Sequence, residues 1–124
     1  MGVISLKIAE KGIAIEMQNQ EILQQLQQVL IARKDAQANE SYVASLYEKG
    51  LDHILKKVGE ESSEVIIAAK GSDSNELTKE VADLWFHCMV LLVNNGLDIS
   101  DVLDELDRRF GLSGLEEKAN RVSK

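Results

Sequence analysis

The stretch from Glu80 to Val93, EVADLWFHCMVLLV, is the feature that any fold of this chain has to accommodate. Placed on a helix at about 100° per residue, it is apolar on almost every side. Leu84, Cys88 and Leu91 fall in one line, Trp85 and Leu92 lie beside it, and Phe86, Met89 and Val90 sit behind. A helix apolar all round is buried all round, by its own subunit or by a second one. Yet Glu80, Asp83 and His87 stand at i, i+3 and i+7, which puts all three in one stripe about 60° wide. Carboxylates set in so apolar a helix are costly unless something cationic meets them.

The rest of the chain reads as helices around that one. Residues 51–70 carry a core arc of Leu51, Ile54, Leu55, Val58, Val65 and Ala69, ended by Gly71. Asp73 followed by Glu76 makes a capping box for the next helix, which runs from about Ser74 to Asn95. The loop between these two long helices is a few residues, so they should pack antiparallel. Upstream, residues 17–33 show an Ile22, Leu26, Val29, Leu30 stripe against a glutamine-rich face read as solvated. Ser41 caps a short helix through Lys49, and Gly50 breaks it. Downstream, Asp98 or Ser100 caps a fourth long helix with Val102, Leu103 and Leu106 on its apolar side and Gly111 at its end. Residues 1–16 alternate weakly, as a hairpin would, and are expected to be an accessory arm. Residues 17–124 then form a single all-α domain, an antiparallel helical bundle. The chain has 124 residues, no proline and five aromatic side chains, which suits that class.

Charge and cysteine usage narrow the partners. A net charge of −7 argues against general binding to nucleic acid or to an anionic membrane. No apolar run approaches the ~18 residues of a membrane span. The single Cys88 lies within the apolar helix, so disulfides are no framework here and a cytoplasmic location is expected.

Two acid pairs carry the chemistry: Glu61 with Glu64, and Glu80 with Asp83. Fifteen residues separate Glu64 from Glu80, enough to finish one helix, turn, and begin the next. Both pairs therefore lie at comparable height near one hairpin turn. Four converging carboxylates repel, and a divalent cation removes that repulsion. All-oxygen ligation fits Mg²⁺, or Mn²⁺ in its place, better than Zn²⁺. An ExxE pair taken alone is ordinarily a solvated helix face, and Asp83 could instead be a buried partner for a lysine. His87 is either a satisfied core histidine or a group contacting phosphate or backing the site. Lys57 shares a stripe with Glu61 and Glu64, whereas Lys49, Lys56, Lys118 and Arg121 each read first as surface charges. Metal plus lysine is the equipment for holding a polyphosphate. No Gly-rich phosphate loop or nucleophilic cysteine competes with that reading.

Glu60-Glu61-Ser62-Ser63-Glu64 followed fifteen residues later by Glu80-Val81-Ala82-Asp83 matches the EExxE…ExxD signature of the all-α nucleoside-triphosphate pyrophosphohydrolases, the MazG-like superfamily. SYVASLYEKGLDHILKKVGEESSEVIIAAK, ADLWFHCMVLL, GLDISDVLDEL and SGLEEKANR resemble the phosphoribosyl-ATP pyrophosphatases within it, over roughly residues 21–121. That resemblance implies Mg²⁺-dependent hydrolysis of phosphoribosyl-ATP to phosphoribosyl-AMP and pyrophosphate, the second step of histidine biosynthesis, by a homodimer or higher homo-oligomer. It also implies that dimerisation completes the bundle, in accord with the over-apolar helix. Carried onto matching positions, Glu61, Glu64, Glu80 and Asp83 would ligate metal, and Glu60 would hold a second metal or orient the attacking water. Lys56 and Lys57 match the lysines ahead of the signature. Ser41, Tyr42, Lys49, His87, Lys118 and Arg121 would contact phosphate or ribose. Two rival readings use the same residues: a broader nucleotide-pool pyrophosphatase, and a non-catalytic helical dimerisation module with solvated acids.

Overall fold

The computed structural model describes residues 21–111. The expected arm at 1–16 and the tail with Lys118 and Arg121 lie outside the described residues. Within them the chain is helical with no strand, as the composition requires. Helix α1 covers residues 21–32 and tightens into a 3-10 turn at Arg33–Asp35. It is followed by α2 (Tyr42–Lys49), α3 (Leu51–Lys70), α4 (Ser74–Asn94) and α5 (Ile99–Phe110). None of these helices is long and apolar enough to cross a membrane.

Local chemistry sets the joints. Ser41 caps α2 by accepting from the Ala44 N–H at 3.2 Å. Gly50, at φ 95°, turns the chain sharply between α2 and α3, a conformation that a side chain would strain. Asp73 caps α4 by accepting from the Asn75 and Glu76 N–H groups. Asp98 is the cap of α5, completed by Asp101 in a capping box, and Gly111 ends that helix in the left-handed region.

Helix α3 packs chiefly against α4, and the two form the antiparallel hairpin that carries the acids. The core gathers at the other end of α4. There Leu30, Leu46, Ile54 and Val90 are fully buried, with Met89, Val93 and Ile99 around them. The Tyr47 hydroxyl donates to the Leu30 carbonyl at 2.8 Å and locks α2 onto α1.

Several expected core positions are uncovered within one chain. Of the α3 arc only Ile54 is fully buried; Leu51, Leu55 and Ala69 are exposed. Ile22 and Val29 on α1 are likewise exposed, and Trp85 on α4 is 59% exposed. The pattern marked apolar faces correctly, but nothing within the described chain covers them. The apolar side of α5 stands partly off α4, leaving an apolar groove of about 300 Å³ that Trp85, Cys88, Leu92, Val102, Leu103 and Leu106 help to line. One glutamine reverses its expected role. Gln27, on the face read as solvated, is 2% exposed. Its amide accepts from the Ile99 N–H and donates to Asp98, so it satisfies the start of α5 from α1.

Candidate active site

The α3–α4 hairpin brings an acid from one helix to two from the other. Carboxylate oxygens of Glu61, Glu80 and Asp83 all lie within 4.8 Å of one another. Glu61 and Glu80 are half-buried and Asp83 is exposed, so the cluster opens to solvent on one side. Asp83 forms no ion pair with a lysine among the described residues, which leaves its carboxylate facing the other two. Glu64 is exposed and stands outside this group of three, although its charge still reaches Glu80. The Glu80 carboxyl is held above its ordinary value, first by partial burial, then by a hydrogen bond with Glu76 and by the charges of Asp83, Glu61 and Glu64. Glu76, expected to close a capping box with Asp73, instead meets Glu80 one turn along the same helix face, while Asp73 alone caps the helix. Three carboxylate oxygens at this spacing are a hard, all-oxygen donor set suited to one divalent cation.

Lysines edge the cluster. The Lys57 ammonium lies 3.4 Å from Glu60 and 3.6 Å from Glu61, with only 26% of its side chain exposed. Burial by itself lowers its affinity for a proton, but Tyr42, Glu60 and Glu61 around it outweigh that and hold it above the ordinary lysine value. Glu60 is half exposed and also meets Lys56 at 3.9 Å. It anchors the two lysines and is not one of the three clustered acids. Lys56 is largely exposed, and Lys49 closes α2 as an exposed side chain.

Helix α2 supplies the second edge. The Tyr42 hydroxyl lies 2.9 Å from Nε2 of His87, whose Nδ1 is 2.8 Å from the Asp83 carbonyl. His87 is 5% exposed, and Phe86 meets it edge-on, with ring centroids 5.2 Å apart. Both its ring nitrogens are thus engaged within the protein. Tyr42 is exposed beside the cluster, and its phenol is raised above the ordinary value by burial first; Lys57 opposes that shift, while Glu61, Glu60 and Asp83 add to it. Ser41 spends its hydroxyl on the α2 cap. A cavity of about 310 Å³ opens beside Tyr42, walled by Leu26, Val29 and Phe86 and edged by Arg33 and Glu40. Arg33 and Glu40 were not foreseen, because the cavity forms only when α1, the following loop and α4 come together.

The family model for phosphoribosyl-ATP pyrophosphohydrolase matches residues 23–110. Curated proteins named phosphoribosyl-ATP pyrophosphatase are similar over most of the chain. The one from Methylococcus capsulatus is 56% identical over 101 residues, covering 82% of this chain and 96% of that protein. The one from Hydrogenovibrio crunogenus is 57% identical over 105 residues, covering 82% and 93%. The one from Neisseria gonorrhoeae is 58% identical over 101 residues, covering 82% and 94%.

Proposed function

The chain belongs to the phosphoribosyl-ATP pyrophosphohydrolase family, and from that premise we propose that it hydrolyses phosphoribosyl-ATP to phosphoribosyl-AMP and pyrophosphate, the second step of histidine biosynthesis. The observation that carries the reading is the group of Glu61, Glu80 and Asp83 oxygens, drawn from two helices to within 4.8 Å. The donor set favours Mg²⁺, with Mn²⁺ a workable substitute. What such an ion supplies when bound is Lewis-acid neutralisation of phosphate oxygens and a more acidic water.

The chain's own residues do the rest. Glu61, Glu80 and Asp83 would hold the ion between the two helices. Glu64, close enough for its charge to be felt at Glu80, is the fourth acid of the site. Glu60 holds Lys57 at the cluster's edge, where the ammonium offsets charge building on departing pyrophosphate. Water is the nucleophile: its oxygen bonds to phosphorus, the α–β phosphoanhydride breaks, and no covalent enzyme intermediate forms. Lys56 and Lys49 add to the field around the phosphates. The enzyme works in the cytoplasm as a homodimer, in which a second subunit covers exposed apolar residues such as Trp85 on α4 and Ile66 and Ile67 on α3.

The deciding experiment compares pyrophosphate release from phosphoribosyl-ATP with release from each common nucleoside triphosphate, with and without Mg²⁺. Phosphoribosyl-ATP should be preferred and the ion required. Preference for a common triphosphate would point to a nucleotide-pool enzyme instead.

A further inference from the structure

The hydrogen bonds around His87 dictate what Tyr42 can offer a ligand. A backbone carbonyl only accepts, so the bond at 2.8 Å between His87 Nδ1 and the Asp83 carbonyl places a proton on Nδ1. In the neutral imidazole Nε2 then carries the lone pair, and the Tyr42 hydroxyl at 2.9 Å donates to it. The ring has little freedom to do otherwise, being 5% exposed and flanked edge-on by Phe86 on one side and Tyr42 on the other. With its one proton committed inward, the Tyr42 oxygen faces the site as an acceptor alone.

That presentation decides which part of a substrate it can meet. Phosphate oxygens are acceptors and offer Tyr42 nothing to bind. Hydroxyl groups do. Tyr42 is bridged to the backbone of Asp83 by a single imidazole, and the charges of Lys57, Glu61, Glu60 and Asp83 reach its phenol, so it lies beside the acid cluster. It is also on the rim of the cavity formed by Leu26, Val29, Glu40 and Phe86. At about 310 Å³ that cavity is within the range of small-molecule sites. In a nucleotide the group that follows the α-phosphate is the ribose.

We propose that Tyr42 is a specificity-determining residue which accepts a hydrogen bond from a 2′- or 3′-hydroxyl of the triphosphate-bearing ribose, and that His87 is the positioning residue which keeps it an acceptor. The inference rests on the activity proposed above and adds to it a ribose subsite between the acid cluster and the cavity.

The test measures kcat and KM for the parent chain, Tyr42→Phe, His87→Gln and His87→Asn. Substrates are phosphoribosyl-ATP and its forms lacking the 2′- or the 3′-hydroxyl on that ribose. The parent should lose about tenfold in KM with one of the two deoxy forms, the worth of one hydrogen bond, and which form it is identifies the hydroxyl. Tyr42→Phe should show the raised KM with all three substrates, no discrimination, and a kcat within about twofold of the parent. His87→Gln can still present an acceptor at the Nε2 position and should keep the discrimination. His87→Asn reaches only the Asp83 carbonyl and should lose it. Discrimination by Tyr42→Phe equal to the parent's overturns the proposal, as does identical behaviour of the two His87 variants. Tyr42 is half exposed, so its variant tests the idea even where a His87 variant fails to fold. A parent chain inactive on phosphoribosyl-ATP would overturn the activity itself, whereas an active parent beside an unaltered Tyr42→Phe removes only the ribose contact.

Discussion

Gln27 and Glu80 show how far single side chains in this protein depend on partners distant in the chain. Gln27 is 2% exposed and serves both Asp98 and the Ile99 N–H, across 71 and 72 residues of sequence. Replacing it by leucine keeps the volume but strips two polar groups of their partner. Gln27→Leu should therefore lower stability by about 2 kcal/mol, within the range for leaving a buried polar group unsatisfied, as read by urea denaturation. A loss under about 0.5 kcal/mol, the scale of a neutral surface change, would contradict that role. In a run of glutamines nothing local marks Gln27 as different from its neighbours, so the sequence placed it on a wet face. The acids were legible for the opposite reason. Asp83 stood out because its own helix offers so little polar surface, and Glu61 and Glu80 follow from helical spacing across one short turn.

At the scale of elements, helix boundaries were the most readable part of the chain, because caps are local. Ser41, Asp73 and Asp98 act within three residues of themselves, and each begins the helix expected of it. Faces were less readable. Leu51, Leu55 and Ala69 belong to an apolar arc by spacing, but spacing does not say which neighbour covers them. The α5 cap also carries a pH dependence. The Asp98 carboxyl is held below its ordinary value, first by the Ser100 N–H and then by the Ser100 side chain and Gln27. The folded state thus binds that proton less readily than the unfolded chain does. Its stabilisation is complete above the ordinary aspartate value and is lost as pH falls through the lowered one. Backbone amide signals of α5 should accordingly report loosening as pH falls below about 4, the ordinary aspartate range, and Asp98→Asn should flatten that limb. Identical acid profiles for the two proteins would show that the cap does not control α5.

The described residues are built around one helical hairpin, with a core at one end and the acid cluster on an open side. The hairpin's uncovered apolar residues argue for a second copy. Sedimentation should give a dimer, and Ile66→Glu should shift the population towards monomer, since a carboxylate buried in an apolar interface costs several kcal/mol unless paired. A parent chain that sediments as a monomer at all concentrations would leave Ile66, Ile67 and Trp85 without the cover proposed for them. A second copy is expected already from the over-apolar helix, whereas the cavity beside Tyr42 could not be read from letters, since it arises from segments that meet only in three dimensions. The acid cluster is the part on which the functional account stands. Its most direct test is Mg²⁺-dependent pyrophosphate release from phosphoribosyl-ATP by Asp83→Asn beside the parent chain, with helicity checked by circular dichroism. The account predicts a folded variant whose turnover falls by about 100-fold or more, the scale of losing a group that holds the metal. Turnover within about threefold of the parent, under half of a tenfold step in free energy, would contradict it.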